Sequence, residues 1–302
     1  MHYKVSIIIP NRNGAELLQK NLPFVLAAVG GSEIIVVDDA STDASVDFLV
    51  KKFPTVKIIK KTHNDGFASS VNMGVREAVG EIVVLLNTDV RPEKDFLTPL
   101  LKHFDTPSVF AVGCIENSIE EKITVFRGRG EAKWEKGFFI HSRGKVDTTI
   151  TAWVSGGSGA FRKSIWEKLG GMDEIFSPFY WEDIDLSYRA LKSGYGLVFE
   201  PKSVVTHEHA KGAIKQGYSS LQVNIIAYRN QFLFIWKNLS NVHLWLAHLI
   251  WTPIRIVQAI IRRDAAMVVG FVWAFVYIPH VLVSRIRYCQ ICRIDDLSVP
   301  LQ

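Results

Sequence analysis

The feature that most constrains this chain is a series of short, unbroken apolar runs, each closed by acidic or amide residues. Residues 5–9 end at Pro10 and Asn11, 33–37 at Asp38 and Asp39, and 82–86 at Asn87, Thr88 and Asp89; a further run covers 56–59. Runs of this length without alternation predict strands buried on both faces. Between them, residues 16–29, 46–53 and 67–79 place apolar side chains at helical spacing. Strand and helix in turn predict an α/β fold with a mostly parallel central sheet covered on both sides. Such sheets bind ligands beyond the carboxyl ends of their strands, where these polar residues collect.

The residue types at those ends narrow the chemistry. Neither Gly-x-Gly-x-x-Gly nor a Walker loop follows the first strand, so a dinucleotide oxidoreductase or a P-loop NTPase loses its main support. Carboxylates there would repel a bare phosphate. They suit ribose hydroxyls, base edges, or a divalent cation bridging to a diphosphate. Asp38 and Asp43 can equally cap turns, which Asp-x-Ser-Thr-Asp does well.

The middle of the chain is less regular. Residues 115–150 are weakly patterned and rich in charge and glycine, and read as irregular or edge structure. Residues 153–161 predict a strand interrupted by Gly156-Gly157-Ser158-Gly159, and 204–209 predict another. Helices are predicted over 163–169 and 184–193, the second with Trp181-Glu182-Asp183 at its start and Gly194 at its end.

From residue 224 the character changes. Residues 224–261 and 265–284 are long apolar, aromatic-rich helical stretches bounded by Arg262-Arg263 and by Arg285 and Arg287. The second runs twenty residues without a formal charge, the minimum for a membrane span. Pro279 and His280 inside it, and His243, His248, Pro253 and Arg255 in the first, favour interfacial helices over true spans. A lid on the catalytic core or a dimer interface is the alternative. The net charge of +5 is unevenly placed: eleven Lys/Arg and four Asp/Glu from Lys202 onward give +7, leaving −2 for residues 1–201. Positive charge in the most apolar third points to anionic lipid at a membrane surface, with no nucleic acid as partner. Cys114, Cys289 and Cys292 form no disulfide framework, and Cys289-x-x-Cys292 lacks a second pair for zinc. Met1-His2-Tyr3-Lys4 leads directly into the first strand, so we expect no signal peptide and a place on the cytoplasmic face of the membrane. The expected division is a catalytic domain over 1–222 and a helical, membrane-associating region over 223–302.

Several segments, in order, resemble glycosyltransferase family 2, whose members have the GT-A fold. They are Val5-Ser-Ile-Ile-Ile-Pro-Asn-Arg-Asn-Gly14, Val36-Val-Asp-Asp-Ala-Ser-Thr-Asp43, Asn64-Asp-Gly-Phe67, Leu85-Leu-Asn-Thr-Asp89 and Gly156-Gly-Ser-Gly-Ala-Phe-Arg162. Gly170-Gly-Met-Asp-Glu174, Trp181-Glu-Asp-Ile-Asp-Leu186 and Val205-Thr-His207 complete the set, which covers about residues 4–210. Within the family the pattern is closest to rhamnosyltransferase-like enzymes of cell-surface polysaccharide assembly.

The resemblance implies a role for each segment. Pro10, Asn13 and Asp38 would hold the nucleoside, with Asp39 close by, and Asn64, Gly66, Asn87 and Gly157 would complete the donor site. Asn87-Thr88-Asp89 falls where the family keeps its Asp-x-Asp metal motif, which makes Asp89 the main acidic ligand for Mg²⁺ or Mn²⁺ and gives His207 the place of a nitrogen ligand, with His209 as a substitute. Asp183 would be the catalytic base, and Trp181 and Glu182 would meet the acceptor; Trp181 also fits a core-packing role, and the acids of 182–185 also suit a helix N-terminus. The donor implied is a dTDP- or UDP-linked sugar, and the acceptor a glycan or lipid-linked hydroxyl. No Gln-x-x-Arg-Trp string appears, since Gln231-Phe-Leu-Phe-Ile-Trp236 lacks the arginine, so transfer of one sugar per encounter is expected. The competing readings are a sugar nucleotidyltransferase and a non-catalytic, membrane-associated scaffold that binds donor.

Overall fold

The structure, a computed structural model, describes residues 3–120, 123–207 and 217–301. β1 (Val5–Asn11), α1 (Ala15–Ala28), β2 (Glu33–Asp38), α2 (Ser45–Lys52), β3 (Lys57–Lys60), α3 (Phe67–Glu77) and β4 (Ile82–Leu85) follow one another as the periodicity predicts. The two-residue period of β1 serves two cores at once. Ile7 and Ile9 join Leu18, Leu22 and Val25 of α1, while Ile8 joins Val71 and Val75 of α3. All are buried, and each such side chain contributes roughly 1.5–3 kcal/mol relative to exposure.

The chain continues through β5 (Val90–Pro92), α4 (Leu97–Lys102), β6 (Val109–Glu120), β7 (Ile123–Arg127), β8 (Gly130–Glu135), β9 (Phe138–Arg143), β10 (Ala160–Arg162), α5 (Lys163–Leu169), α6 (Glu182–Lys192) and β11 (Gly196–His207). The main sheet has the order β3-β2-β1-β4-β10-β6-β11-β5, with β7 paired to β6. Strands β3, β2, β1 and β4 are parallel, as are β6 and β11. β10, β5 and β7 run antiparallel to their neighbours, so the second half of the sheet is mixed.

Several segments differ from expectation, and the strand expected over 204–209 begins at Gly196. Residues 115–150, expected to be irregular or edge structure, are edge structure in large part: they hold the outer half of β6, β7, which pairs with β6 alone among the described strands, and the separate two-stranded β8–β9 hairpin. The pattern hid β6 because its first half is apolar while its second half turns polar from Glu116, although Glu116 and Ser118 remain buried. The hairpin turns at Lys136 and Gly137, both with positive φ, the geometry of a two-residue primed turn. The strand expected over 153–161 shrinks to Ala160–Arg162. Residues 153–159 form a glycine-rich turn whose carbonyls nonetheless reach β4: Leu85 N donates to Gly159 O at 2.8 Å and Asn87 N to Gly157 O at 2.9 Å.

The C-terminal part forms α7 (Ser220–Asn238), α8 (Val242–Ile261), α9 (Ala265–Ala274) and α10 (Ile278–Cys289). The single helix expected over 224–261 is two, because Asn241 caps a new start by accepting from His243 N and Leu244 N at 3.0 and 3.1 Å. α7 begins two residues before the division expected at 222/223 and crosses it. Phe232, Leu233, Phe234 and Ile235 are fully buried in the same cluster as Phe139, Trp181 and Tyr188. α7 thus belongs to the catalytic core in its packing. Beyond it, α8 and α10 expose Leu249, Ile260, Ile261 and Ile286.

Candidate active site

The polar ends of β1 and β2 are laced together. Asn11 Nδ2 donates to Asp38 Oδ1 at 2.8 Å, and Ser41 N donates to the other Asp38 oxygen at 3.0 Å. Asn13, exposed and with φ of 50°, accepts from Thr42 N at 2.8 Å. Pro10 stands opposite Val37 in the strand register. Asp43 accepts from Ala15 N and Ser45 N, both at 3.0 Å, which fulfils the turn-capping reading of that residue. Asp39 is committed to its neighbours. It accepts from Asp65 N at 3.0 Å and Gly66 N at 2.9 Å, and pairs with Lys61 at 2.8 Å. It therefore shapes the loop bearing Asn64, which is exposed. Gly66 has φ of 92°, and a Cβ there would lie 3.2 Å from the Pro178 carbonyl, so the turn requires glycine.

The next strand end carries Asn87, Thr88 and Asp89. Asp89 is buried, and its Oδ1 lies 3.2 Å from Nε2 of His207 at the end of β11. On the other side of that ring, Nδ1 lies 3.5 Å from Oε2 of Glu116 on β6. Burial alone would lower the His207 pKa, but Asp89 and Glu116 outweigh it and raise it to about 9. A cationic imidazole thus sits between two carboxylates. Among the described residues no three His, Cys, Asp or Glu side chains stand as a ready cage for a metal. Here the donor atoms are spent on one another. The Asp89 carboxylate and the His207 imidazole, in a place that already accepts positive charge, fit a hard divalent cation such as Mg²⁺ or Mn²⁺. His209 lies outside the described residues.

The glycine-rich turn joins this cluster to the third group of residues. A Cβ at Gly157 would stand 2.7 Å from Asn87 Nδ2 and displace that side chain, while Asn87 N donates to the Gly157 carbonyl at 2.9 Å and joins the two segments. Gly156 N donates to Asp183 Oδ2 at 3.2 Å, and Ile184 N to Asp183 Oδ1 at 2.8 Å. Tyr180 and Trp181, with φ of 69° and 79°, turn the chain into α6 so that Glu182 and Asp183 occupy its first turn. Left-handed conformations of bulky residues cost about 1–3 kcal/mol each and persist only where packing enforces them. Trp181 is enforced in this way: it is 5% exposed and packs on His141, Phe139 and Phe234 at centroid distances of 4.9, 6.3 and 5.2 Å. The core-packing alternative accounts for these contacts.

Burial raises the pKa of Asp183, with Glu116 adding to it and the two amides opposing it. Glu182 is buried beside it, and burial together with the Asp183 charge pushes its carboxyl well above the ordinary range. Its Oε2 has no hydrogen-bond partner among the described residues. A half-buried carboxylate with an elevated pKa, held toward a glycine turn, has the properties of a general base.

Two features escaped the sequence reading. Glu116 fell in the segment expected to be irregular or edge structure; an acid after seven residues of buried strand was the available signal. Asp185, the last acid of the Trp-Glu-Asp-x-Asp string, is fully buried and structural. It accepts from Arg189 Nε, Lys237 Nζ and Asn238 Nδ2, each at 2.8 Å, and so fastens α6 to α7.

Comparison with known proteins agrees with this arrangement. Residues 6–170, more than half the chain, match the profile of Glycosyl transferase family 2. The chain is 28% identical over 217 residues to the pre-mycofactocin glycosyltransferase of Mycobacterium tuberculosis, with 69% of this chain and 43% of that protein covered. It therefore spans less than half the length of that curated relative. It is 23% identical over 254 residues to the N-acetylglucosaminyl-diphospho-decaprenol L-rhamnosyltransferase of the same organism, covering 72% of this chain and 78% of the relative. Among solved structures, GalNAc-T7 with UDP, GalNAc and Mn²⁺ superposes with a TM-score of 0.63 at 17% identity over 77% of this chain and 47% of that one. The mannosyltransferase PcManGT from Pyrobaculum calidifontis, with GDP-Man and Mn²⁺, gives 0.58 at 19% identity over 99% and 88%. These likenesses show the GT-A fold. The strand-end motifs, the glycine turn and the profile match converge: the chain belongs to glycosyl transferase family 2.

Proposed function

We propose that this chain is a metal-dependent, inverting, non-processive glycosyltransferase that moves one sugar from a nucleotide-diphosphate donor to a hydroxyl of a glycan or lipid-linked acceptor. The observation that carries the reading is the glycine turn, which is bonded on one side to Asn87 and on the other to Asp183. A donor lying along that turn has its diphosphate at Asp89 and its anomeric carbon toward the carboxylate. Asn13 and Asp38 hold the nucleoside, and Gly157 lets the donor sugar approach backbone. Asp89 and His207 hold Mg²⁺ or Mn²⁺, which when bound supplies positive charge to the departing diphosphate. Asp183 takes the proton of the acceptor hydroxyl as that oxygen attacks, and a single displacement inverts the anomeric centre. A nucleotide-sugar donor is supported by the neighbours solved with UDP or GDP-Man, and a lipid-linked acceptor by the relative named N-acetylglucosaminyl-diphospho-decaprenol L-rhamnosyltransferase.

The acceptor side extends this reading to the membrane. Two helical segments, Val242–Ile261 and Ala265–Cys289, are long and apolar enough to cross a bilayer, and they are largely unburied in the protein itself. Between them lies a groove of about 520 Å³ lined by Trp236, Trp245, Leu249, Phe271, Phe275 and Arg285, among others. Its size is that of a ligand site, and its apolar walls with one cation suit the chain and charged head of an anionic lipid. Its wall residue Trp236 stands two positions from Phe234, which packs on Trp181 next to the proposed base. We therefore place the protein at the cytoplasmic face of a membrane, with the apolar segments Val242–Ile261 and Ala265–Cys289 as the membrane-associating part and cell-surface polysaccharide synthesis as the setting.

The test is a thermal-shift screen of purified protein against nucleotide-diphosphate sugars, each with and without Mn²⁺. A ligand specific for the native state raises the melting temperature. A rise for one donor that requires metal is expected. A folded sample that responds to no donor overturns the reading.

A further inference from the structure

Glu116 has no part in the chemistry assigned so far, yet it closes a ring of contacts around the proposed cation site. Its Oε2 faces Nδ1 of His207 at 3.5 Å, and Nε2 of the same ring faces Asp89 at 3.2 Å. Its other oxygen, Oε1, accepts from the Ser158 hydroxyl. The Ser158 carbonyl accepts from Cys114 Sγ at 2.8 Å, and the neighbouring Gly157 carbonyl accepts from Asn87 N at 2.9 Å. The circuit runs from the Asn87-Thr88-Asp89 turn through His207, Glu116 and Ser158 and back to Asn87. Glu116 and His207 are both buried.

A buried carboxylate in a strand costs several kcal/mol to desolvate unless its oxygens are used. Here both are used, one by the donor turn and one by the histidine. We propose that Glu116 is a positioning residue of the metal site: facing Nδ1 of the His207 ring, it would keep the proton there when a cation displaces the one on Nε2, so that Nε2 would be the atom offered to the cation beside Asp89. This is the arrangement in which a carboxylate orients a ligating histidine and raises its basicity. Ser158 gives the device a second task. Because the same carboxylate takes the hydroxyl of the glycine turn, the cation site and the segment along which the donor lies are set by one side chain. The inference rests on the metal-dependent reading above.

The experiment measures Mn²⁺ binding directly, by electron paramagnetic resonance of the free ion, with and without UDP. Wild type, Glu116→Ala, Glu116→Gln, His207→Ala and the Glu116→Ala/His207→Ala double variant are compared, with circular dichroism and melting curves as controls for folding. Glu116→Ala is expected to weaken Mn²⁺ binding by about 10–100-fold, the usual loss for an outer partner of a ligating histidine. Glu116→Gln, which keeps the shape and one acceptor oxygen, is expected to lose less. In the double variant the Glu116 change should add nothing to His207→Ala, since it acts through the ring. Unchanged Mn²⁺ affinity in both Glu116 variants overturns the proposal, as does a further loss in the double variant, which would make Glu116 a ligand in its own right. If Glu116→Ala fails to fold, Glu116→Gln and Ser158→Ala carry the comparison, and wild-type affinity in both overturns it. Wild type that binds no Mn²⁺ under either condition overturns the metal reading itself.

Discussion

The β1–β4 half of the sheet and the C-terminal helices distribute polarity in opposite ways. In the sheet, Ile7, Ile8, Val36 and Leu85 are buried and the charged groups stand at the strand ends or on the surface. In the helical part the inside holds the charges: Arg229 is 1% exposed and Lys237 3%, while Ile261 is 74% and Ile286 69% exposed. Lys237 pairs with Asp173 at 2.6 Å and Asp185 at 2.8 Å, and Lys192 pairs with Asp296 at 2.8 Å, while Arg229 donates to Asn230 Oδ1, Tyr277 Oη and the Ser177 carbonyl. The first arrangement is that of a domain facing water. The second suits an outer surface that meets apolar material, with ion pairs tying the helices to the catalytic core.

That contrast can be broken by substitution. The largest effect is expected where the two parts meet the chemistry. Asp183→Asn should lower turnover by roughly 10²–10⁴-fold while donor binding persists, as for loss of a general base. Steady-state kinetics beside donor calorimetry separates the two, and equal turnover in both proteins rejects the assignment. Next, Lys237→Met should destabilise the fold by about 3–5 kcal/mol, because it leaves the buried Asp173 without its ion-pair partner and Asp185 with Arg189 as its one remaining cation. Urea unfolding reads this directly, and a change below experimental scatter would show that the buried pairs do not tie α6 to α7.

A smaller effect follows from acid. Burial opposes ionisation of Asp173, but Lys237 beside it wins and lowers its pKa from 3.8 to about 2. A depressed carboxyl contributes stability that is complete above its unfolded pKa and lost as pH falls through the folded one. Stability should therefore drop by about 2 kcal/mol between about pH 4 and pH 2 in wild type relative to Asp173→Asn. Parallel pH curves for the two proteins would contradict it. The smallest effect belongs to the outer surface: Ile260→Ser should weaken binding to anionic vesicles by about tenfold at an unchanged melting temperature. A fall in melting temperature with unaltered vesicle binding would instead mark Ile260 as part of the folded core. Point substitution suits this question better than truncation at 222. α7 is packed into the core, and the distal Asp296 accepts from Tyr188 Oη at 2.5 Å and Ser240 N at 2.7 Å.

The first four strands and three helices of the fold were legible because each is a local pattern: an unbroken apolar run or a helical repeat, followed by its own stop signal. The same is true of Asn11, Asp38, Asp89, Asp183 and His207, which stand at or next to the ends of elements and carry family motifs. Other features depend on residues far apart in the chain. The outer half of β6 looks like a loop until β11 and β7 pair with it on either side, and only then does Glu116 face His207. Trp181 and Asp185 lie in the same short motif as Asp183, yet Phe234, Lys237 and Asn238 of α7 draw both into the core. Local periodicity and composition determined the strands, their polar ends and the apolar helices, because these depend on neighbours within a few residues. Which acids of a motif face the site, and which helices complete its floor, was decided by packing between segments 50 to 110 positions apart, whose pairing no local pattern encodes.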